Sequence, residues 1–222
     1  MTPDHHISAC QRKDDDDDDS LSTLFTSLAN DGQPWMLTRT LKSENPKDIN
    51  GVLTGTATFR IRSNQSCLEM VYREEGEMMQ SFGPSGLRWT KMYIWRLLGL
   101  EKEREISVWF VKVDDDKKRI QGGEGDGPQE EADYLFHTFD INDDSGRHLV
   151  SPPTPPPPPL YSSILTTVLI ARGSHLCVND MYHTAYAFRM GPTGQVVSWT
   201  SRHIVKGPKK NQDISNVYVK EG

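Results

Sequence analysis

No stretch of this chain is apolar for long enough to cross a bilayer as a helix, which takes about 18 consecutive apolar residues. The mean hydropathy is −0.62, and hydrophobic residues make up 35% of the chain. Cysteine is scarce: Cys10, Cys67 and Cys177 do not make a disulfide framework. Basic charge is not in excess. The net charge of −6 over 222 residues argues against a general nucleic-acid binder, which needs basic clusters to displace counterions. The start, Met-Thr-Pro-Asp-His-His, lacks the charged-then-apolar pattern of a secretory signal. No CxxC or HExxH spacing supports a metal site. Lys206-Gly-Pro-Lys-Lys210 lacks the GxxxxGK[ST] pattern of a P-loop. These absences lead to the expectation of a cytoplasmic protein with no nucleic-acid partner, no membrane partner and no metal.

What is present falls into low-complexity stretches and one foldable part. Residues 1–19 end in the aspartates Asp14–Asp19, which repel one another and bury nothing, so an acidic disordered tail is expected. Residues 20–222 read as a single domain with flexible insertions at 114–131 and 142–160. The second insertion carries Ser151-Pro-Pro-Thr-Pro-Pro-Pro-Pro-Pro159. Proline lacks the ladder donor, so this segment is expected as exposed polyproline II between strands. It is either a spacer or the ligand of an SH3- or WW-type partner.

Ser20 is a good N-cap, and Leu21, Leu24, Phe25 and Leu28 follow at helical spacing, which predicts a short helix stopped by Gly32 and Pro34. From Trp35 onward the period is two. Trp35, Leu37, Arg39 and Leu41 share one face of a strand. Leu53, Gly55, Ala57, Phe59 and Ile61 share a face of the next, where Gly55 implies a bend or a close backbone approach and Ala57 leaves room beside it. Glu74-Glu75-Gly76-Glu77 reads as a hairpin connection into Met78–Phe82. The spacing predicts about ten antiparallel strands joined mainly by short turns, with no βαβ alternation. An up-and-down β-barrel behind one N-terminal helix is the architecture that removes exposed sheet edges.

The greatest density of chemically able side chains lies in residues 173–188. With Asn179-Asp180 as the turn of a hairpin, Cys177 would face Tyr182 and His175 would face Thr184. His175, Cys177, Tyr182, Thr184 and Tyr186 then share a polar, aromatic face. Other strands add Tyr72, Glu74, Arg88, Lys91, Tyr93 and His137. Arg88 and Lys91 have opposite parity, so on a regular strand only one can face inward. Arg88 and Glu74 could instead form a structural ion pair across strands.

The ordered landmarks Trp35-x-Leu37-x-Arg39, Gly55-x-Ala57-x-Phe59, Tyr72-x-Glu74-x-Gly76, Arg88 ahead of Tyr93-x-Trp95, Phe136-His137 with Phe139, His175-x-Cys177-x-x-Asp180-x-Tyr182, and Trp199 ahead of Gly207-Pro208-x-Lys210 run from about Leu24 to Tyr218. In this order they resemble an uncharacterised family, domain-of-unknown-function family six-three-one-four. The resemblance implies a compact, calycin-like β-barrel, of the kind seen in lipocalins, fatty-acid-binding proteins and nitrobindins, and no established reaction.

The leading expectation is a barrel that binds a small ligand, anionic or aromatic, without covalent chemistry. Its candidate residues are Tyr72, Glu74, Arg88, Tyr93, His137, His175, Cys177, Asp180, Tyr182 and Tyr186. One alternative is an acid–base enzyme, a lyase, isomerase or hydrolase, using His175 and Asp180. Another is an interaction module working through Pro152–Pro159. A single barrel histidine could ligate haem, but no motif identifies a cofactor.

Overall fold

The computed structural model describes residues 15–29, 32–63, 68–77, 88–98, 105–112, 130–141, 149–158, 165–177, 179–208 and 210–221. One helix, α1 (Asp15–Ser27), precedes the strands β1 (Trp35–Ser43), β2 (Gly51–Ser63), β3 (Leu68–Glu77), β4 (Arg88–Leu98) and β5 (Glu105–Val111). They are followed by β6 (Ala132–Phe139), β7 (Thr167–Cys177), β8 (Asp180–Met190), β9 (Val196–Lys206) and β10 (Asn211–Lys220). The expected Met78–Phe82 strand, most of the 114–131 insertion and residues 1–14 lie outside the described residues.

All the strands join one antiparallel sheet in the order β6-β5-β4-β3-β2-β1-β10-β9-β8-β7. Sheet neighbours are chain neighbours except where β1 meets β10, the up-and-down pattern that period-two patterning with short turns predicts. The terminal strands β6 and β7 meet at the Asp140–Arg172 bridge, whose two backbone hydrogen bonds measure 3.0 and 2.9 Å. The barrel is therefore nearly closed. Gly173 makes this seam possible, because a Cβ there would stand 1.8 Å from the Thr138 carbonyl oxygen.

Alternation positions the core. Trp35, Leu37 and Arg39 of β1 are buried while Met36 and Thr38 are exposed. Gly55 does mark a close approach, since a Cβ there would lie 2.2 Å from the Glu75 carbonyl oxygen. The room expected beside Ala57 is absent: Ala57 is fully buried in the core opposite Trp35. The barrel's free space lies elsewhere.

The helix begins at Asp15, not at Ser20. Leu21, Leu24, Phe25 and Leu28 are buried and close one end of the barrel. The Trp35 Nε1–H donates to the Leu28 carbonyl at 3.0 Å, and the Val196 N–H donates to Ser27 Oγ at 3.1 Å.

Three local expectations are corrected. Glu74 to Glu77 are not a turn; they continue β3 and pair with Lys91 to Arg88 of β4. In the β7–β8 hairpin Cys177 pairs with Asp180 and His175 with Tyr182, two positions from the expected pairing. This shift of two changes every cross-strand partner yet leaves each side chain on its expected face, because the side-chain period is two. The proline segment is not free. Pro155 is buried, and the carbonyls of Pro153, Pro155 and Pro156 accept hydrogen bonds from Thr200, Arg189 and Ser198 on β8 and β9. Its donorless backbone still offers carbonyls, and those carbonyls anchor it as a strap on the barrel wall.

Candidate functional site

The end of the barrel opposite α1 holds a cavity of about 930 Å³. Its depth follows from strand direction. Along β4, Lys91, Tyr93 and Trp95 descend from the open end toward the helix, and along β9 His203, Ser201 and Trp199 do the same. The floor is aromatic. Trp199 stacks on Tyr218 with ring centroids 3.5 Å apart and planes 4° from parallel, and Trp95, Tyr72 and Tyr186 surround the pair.

Above the floor runs a chain of buried polar groups. Arg39 donates from Nη2 to both Glu74 oxygens at 2.8 Å and from Nε to Asn216 Oδ1 at 2.7 Å. Asn216 Nδ2 donates to Ser201 Oγ at 2.8 Å, and Ser201 Oγ lies 3.2 Å from His203 Nε2. His203 Nδ1 in turn lies 3.1 Å from Thr184 Oγ1. The Tyr72 and Tyr218 phenols approach Glu74 Oε1 at 2.5 and 3.1 Å. A buried ion pair survives desolvation only when its remaining donors and acceptors are satisfied, as they are for Glu74.

Burial sets the protonation states. It disfavours the Arg39 guanidinium, but Glu74, Tyr218 and Tyr72 more than offset this, and Arg39 is held above its ordinary value. Burial pushes His203 down to about 3, helped by Arg39 and Lys91, and drives His137 well below the usual imidazole range. Both imidazoles are therefore neutral at neutral pH. Burial, with Glu74 next, raises Tyr72 and Tyr218, so both phenols keep their protons. Lys91 retains accessible surface, yet protein encloses it enough that burial, then Arg39, lowers it to about 8 against the opposing pull of Glu74.

His137 carries a further asymmetry. Its Nε2 lies 2.7 Å from the Tyr186 hydroxyl, while its Nδ1 is buried with no partner among the described residues. The cheaper tautomer places the proton on Nε2, because a buried N–H left without an acceptor costs more than a bare lone pair. Nε2–H then donates to Tyr186, whose own hydroxyl proton is free for another acceptor.

Of the sequence-predicted residues, Tyr72, Glu74, Tyr93, His137, Tyr182 and Tyr186 line the cavity together. Arg88, His175, Cys177 and Asp180 are not part of its lining. Arg88 is exposed opposite Glu77, and the inward position on β4 belongs to Lys91. The ion pair of Glu74 is made with Arg39 rather than Arg88. Asp180 lies 3.7 Å from Lys210, which donates to the Tyr182 hydroxyl at 2.9 Å. Cys177 is a free thiol.

Sequence reasoning passed over Arg39, Phe136, Trp199, Ser201, Asn216 and Tyr218 as site residues. Arg39 had a visible signal, a charge at the inward parity of Trp35 and Leu37. Phe136 had none. Pairing steps from Val108–His137 to Trp109–Leu135, and the bulge leaves Phe136 unpaired, so consecutive residues both reach the cavity.

Among the described residues no cluster of three or more histidine, cysteine or acidic groups could hold a metal ion. No helix among them is long and apolar enough to cross a membrane. No curated protein matches the chain. Residues 31–220, which contain every strand and the whole cavity wall, match the family of unknown function DUF6314, and the chain belongs to that family.

Proposed function

We propose that this barrel binds a small, largely planar organic ligand in the 930 Å³ cavity, without covalent chemistry. The observation that carries this reading is a roomy cavity with an aromatic floor and a few polar groups on its wall, the usual composition of a small-molecule site. Barrels of this size have space for one ligand. Calycin-like carriage is the fold-level analogy, and such analogy does not select a ligand. An acid–base role has less support: its candidates His175 and Asp180 lie outside the cavity lining, and of the groups inside it His203 lies at about 3 and His137 well below its usual range, while Lys91 alone of these, at about 8, comes near the working pH.

Titration with the neutral fluorophore N-phenyl-1-naphthylamine, alongside native mass spectrometry of protein purified without denaturation, tests the proposal. The wild type should show saturable one-to-one binding. Ile214→Trp, which fills the cavity from β10, should abolish it at an unchanged Tm. Wild-type protein that neither binds the probe nor carries a co-purifying mass would refute the reading.

A further inference from the structure

Six Arg, Lys and Glu side chains line the cavity: Arg39, Arg73, Glu74, Lys91, Lys112 and Glu130. Five of them have an opposite charge at hand. Arg39 holds Glu74 at 2.8 Å, Arg73 holds Glu75 at 3.0 Å, Glu130 holds Arg60 at 2.9 Å, and Lys112 lies 4.0 Å from Glu131. Lys91 has no hydrogen-bond or ion-pair partner among the described residues. Its cross-strand neighbour is Glu74, whose oxygens are already taken by Arg39, Tyr72 and Tyr218.

We propose that the ligand is an organic monoanion, and that Lys91 is its counter-ion. This rests on the reading that the cavity takes a ligand. One unmatched positive charge calls for one negative charge; the second charge of a dianion would have no counter-ion among the cavity's described residues. Lys91 also keeps the accessible surface that a ligand needs to reach it. Below it on the same face of β4 come Tyr93 and Trp95. Successive inward residues on a strand are roughly 6.5–7 Å apart, so a head group at Lys91 places the ligand body against these rings. Tyr93 lies 5.7 Å from Phe136 and 6.1 Å from Tyr72, nearly parallel to the former, so the three rings pack into one aromatic wall along the path of the ligand body. The lowered proton affinity of Lys91 fits a cation that lacks its partner, and a bound anion would raise it again.

Two probes that differ by one sulfonate separate charge from cavity: 1-anilinonaphthalene-8-sulfonate and N-phenyl-1-naphthylamine. Each is titrated at pH 7 into wild type, Lys91→Met and Lys91→Arg, with Tm recorded for each protein. Lys91→Met should weaken the sulfonate roughly tenfold or more, in line with a lost charge-assisted hydrogen bond, and leave the neutral probe within about twofold, a change too small to reflect a lost contact. Lys91→Arg should retain sulfonate binding. If Lys91→Met weakens both probes equally, or neither, the monoanion proposal is overturned while the cavity reading stands. If neither probe binds wild type and no mass co-purifies with it, the cavity reading fails and this proposal fails with it; if a mass co-purifies but neither probe binds, the monoanion proposal is overturned when that mass is not an organic monoanion.

Discussion

Glu74→Gln is the substitution whose consequence follows most directly from the geometry. It keeps the shape of the side chain and one acceptor oxygen, and it removes the charge that Arg39 faces. Arg39 is 5% exposed and Glu74 2% exposed, so water cannot replace the lost partner. Breaking a buried pair from one side typically costs about 3–5 kcal/mol, because an uncompensated buried charge remains. For a chain of this size, each kcal/mol shifts Tm by roughly 2–4 °C, which places the expected loss at about 6–20 °C. The double variant Arg39→Met with Glu74→Gln removes both charges and should cost clearly less than the sum of the single variants. Urea unfolding at pH 7 gives the four stabilities of the cycle. A cost below about 1 kcal/mol for Glu74→Gln, or strict additivity in the double variant, would refute the claim that this pair is a coupled, desolvated unit. The same variant should lower the proton affinity of Lys91 further, since Glu74 is the one neighbour that raises it, and NMR titration of the lysine side chain reads that shift.

Three further outcomes are expected. If Lys91 holds an anion, affinity for the sulfonate probe should fall as pH rises above about 8, and Lys91→Arg should flatten the profile; of the groups facing Lys91, Arg39, Tyr72 and Tyr93 are shifted up and His203 down, so none of these should titrate in that window. His203 has a folded value of about 3 against an unfolded value near 6.5, so the stability it contributes is complete above pH ~6.5 and lost as pH falls toward 3; His203→Gln should reduce the slope of urea-derived stability between those limits. Arg189→Ala combined with Thr200→Val should free the proline strap, seen as faster proteolysis within residues 149–158 and new binding to an SH3 or WW domain; unchanged cleavage would show that the carbonyl anchors do not hold it.

Much of the architecture was legible in the chain. Period-two patterning from Trp35 to Lys220, with short turns between strands, dictates antiparallel neighbours, and Leu21, Leu24, Phe25 and Leu28 dictate a helix with one apolar face. The polar face of the β7–β8 hairpin was legible as well, and it survived an error in the turn because the true register differs by two. Alternation is a local property, so it can be read without knowing what a strand packs against.

What lies across the barrel was decided by the tertiary structure. Arg39 and Glu74 are 35 residues apart, and Arg39 and Asn216 are 177 apart; register and closure bring them together, not spacing. The bulge that turns Phe136 inward beside His137 arises from pairing with β5 and breaks the parity that would have kept the two apart. The cavity lies by Lys91 rather than beside Gly55 and Ala57, because β3 backbone and Trp35 fill the space that small side chains leave. The proline run reads alone as a free ligand, yet its carbonyls find donors on β8 and β9. The sequence by itself determined which side chains share a face of each regular strand. Which of them meet, and where space remains among them, depends on distances between strands far apart in the chain, and only the nearly closed sheet sets those distances.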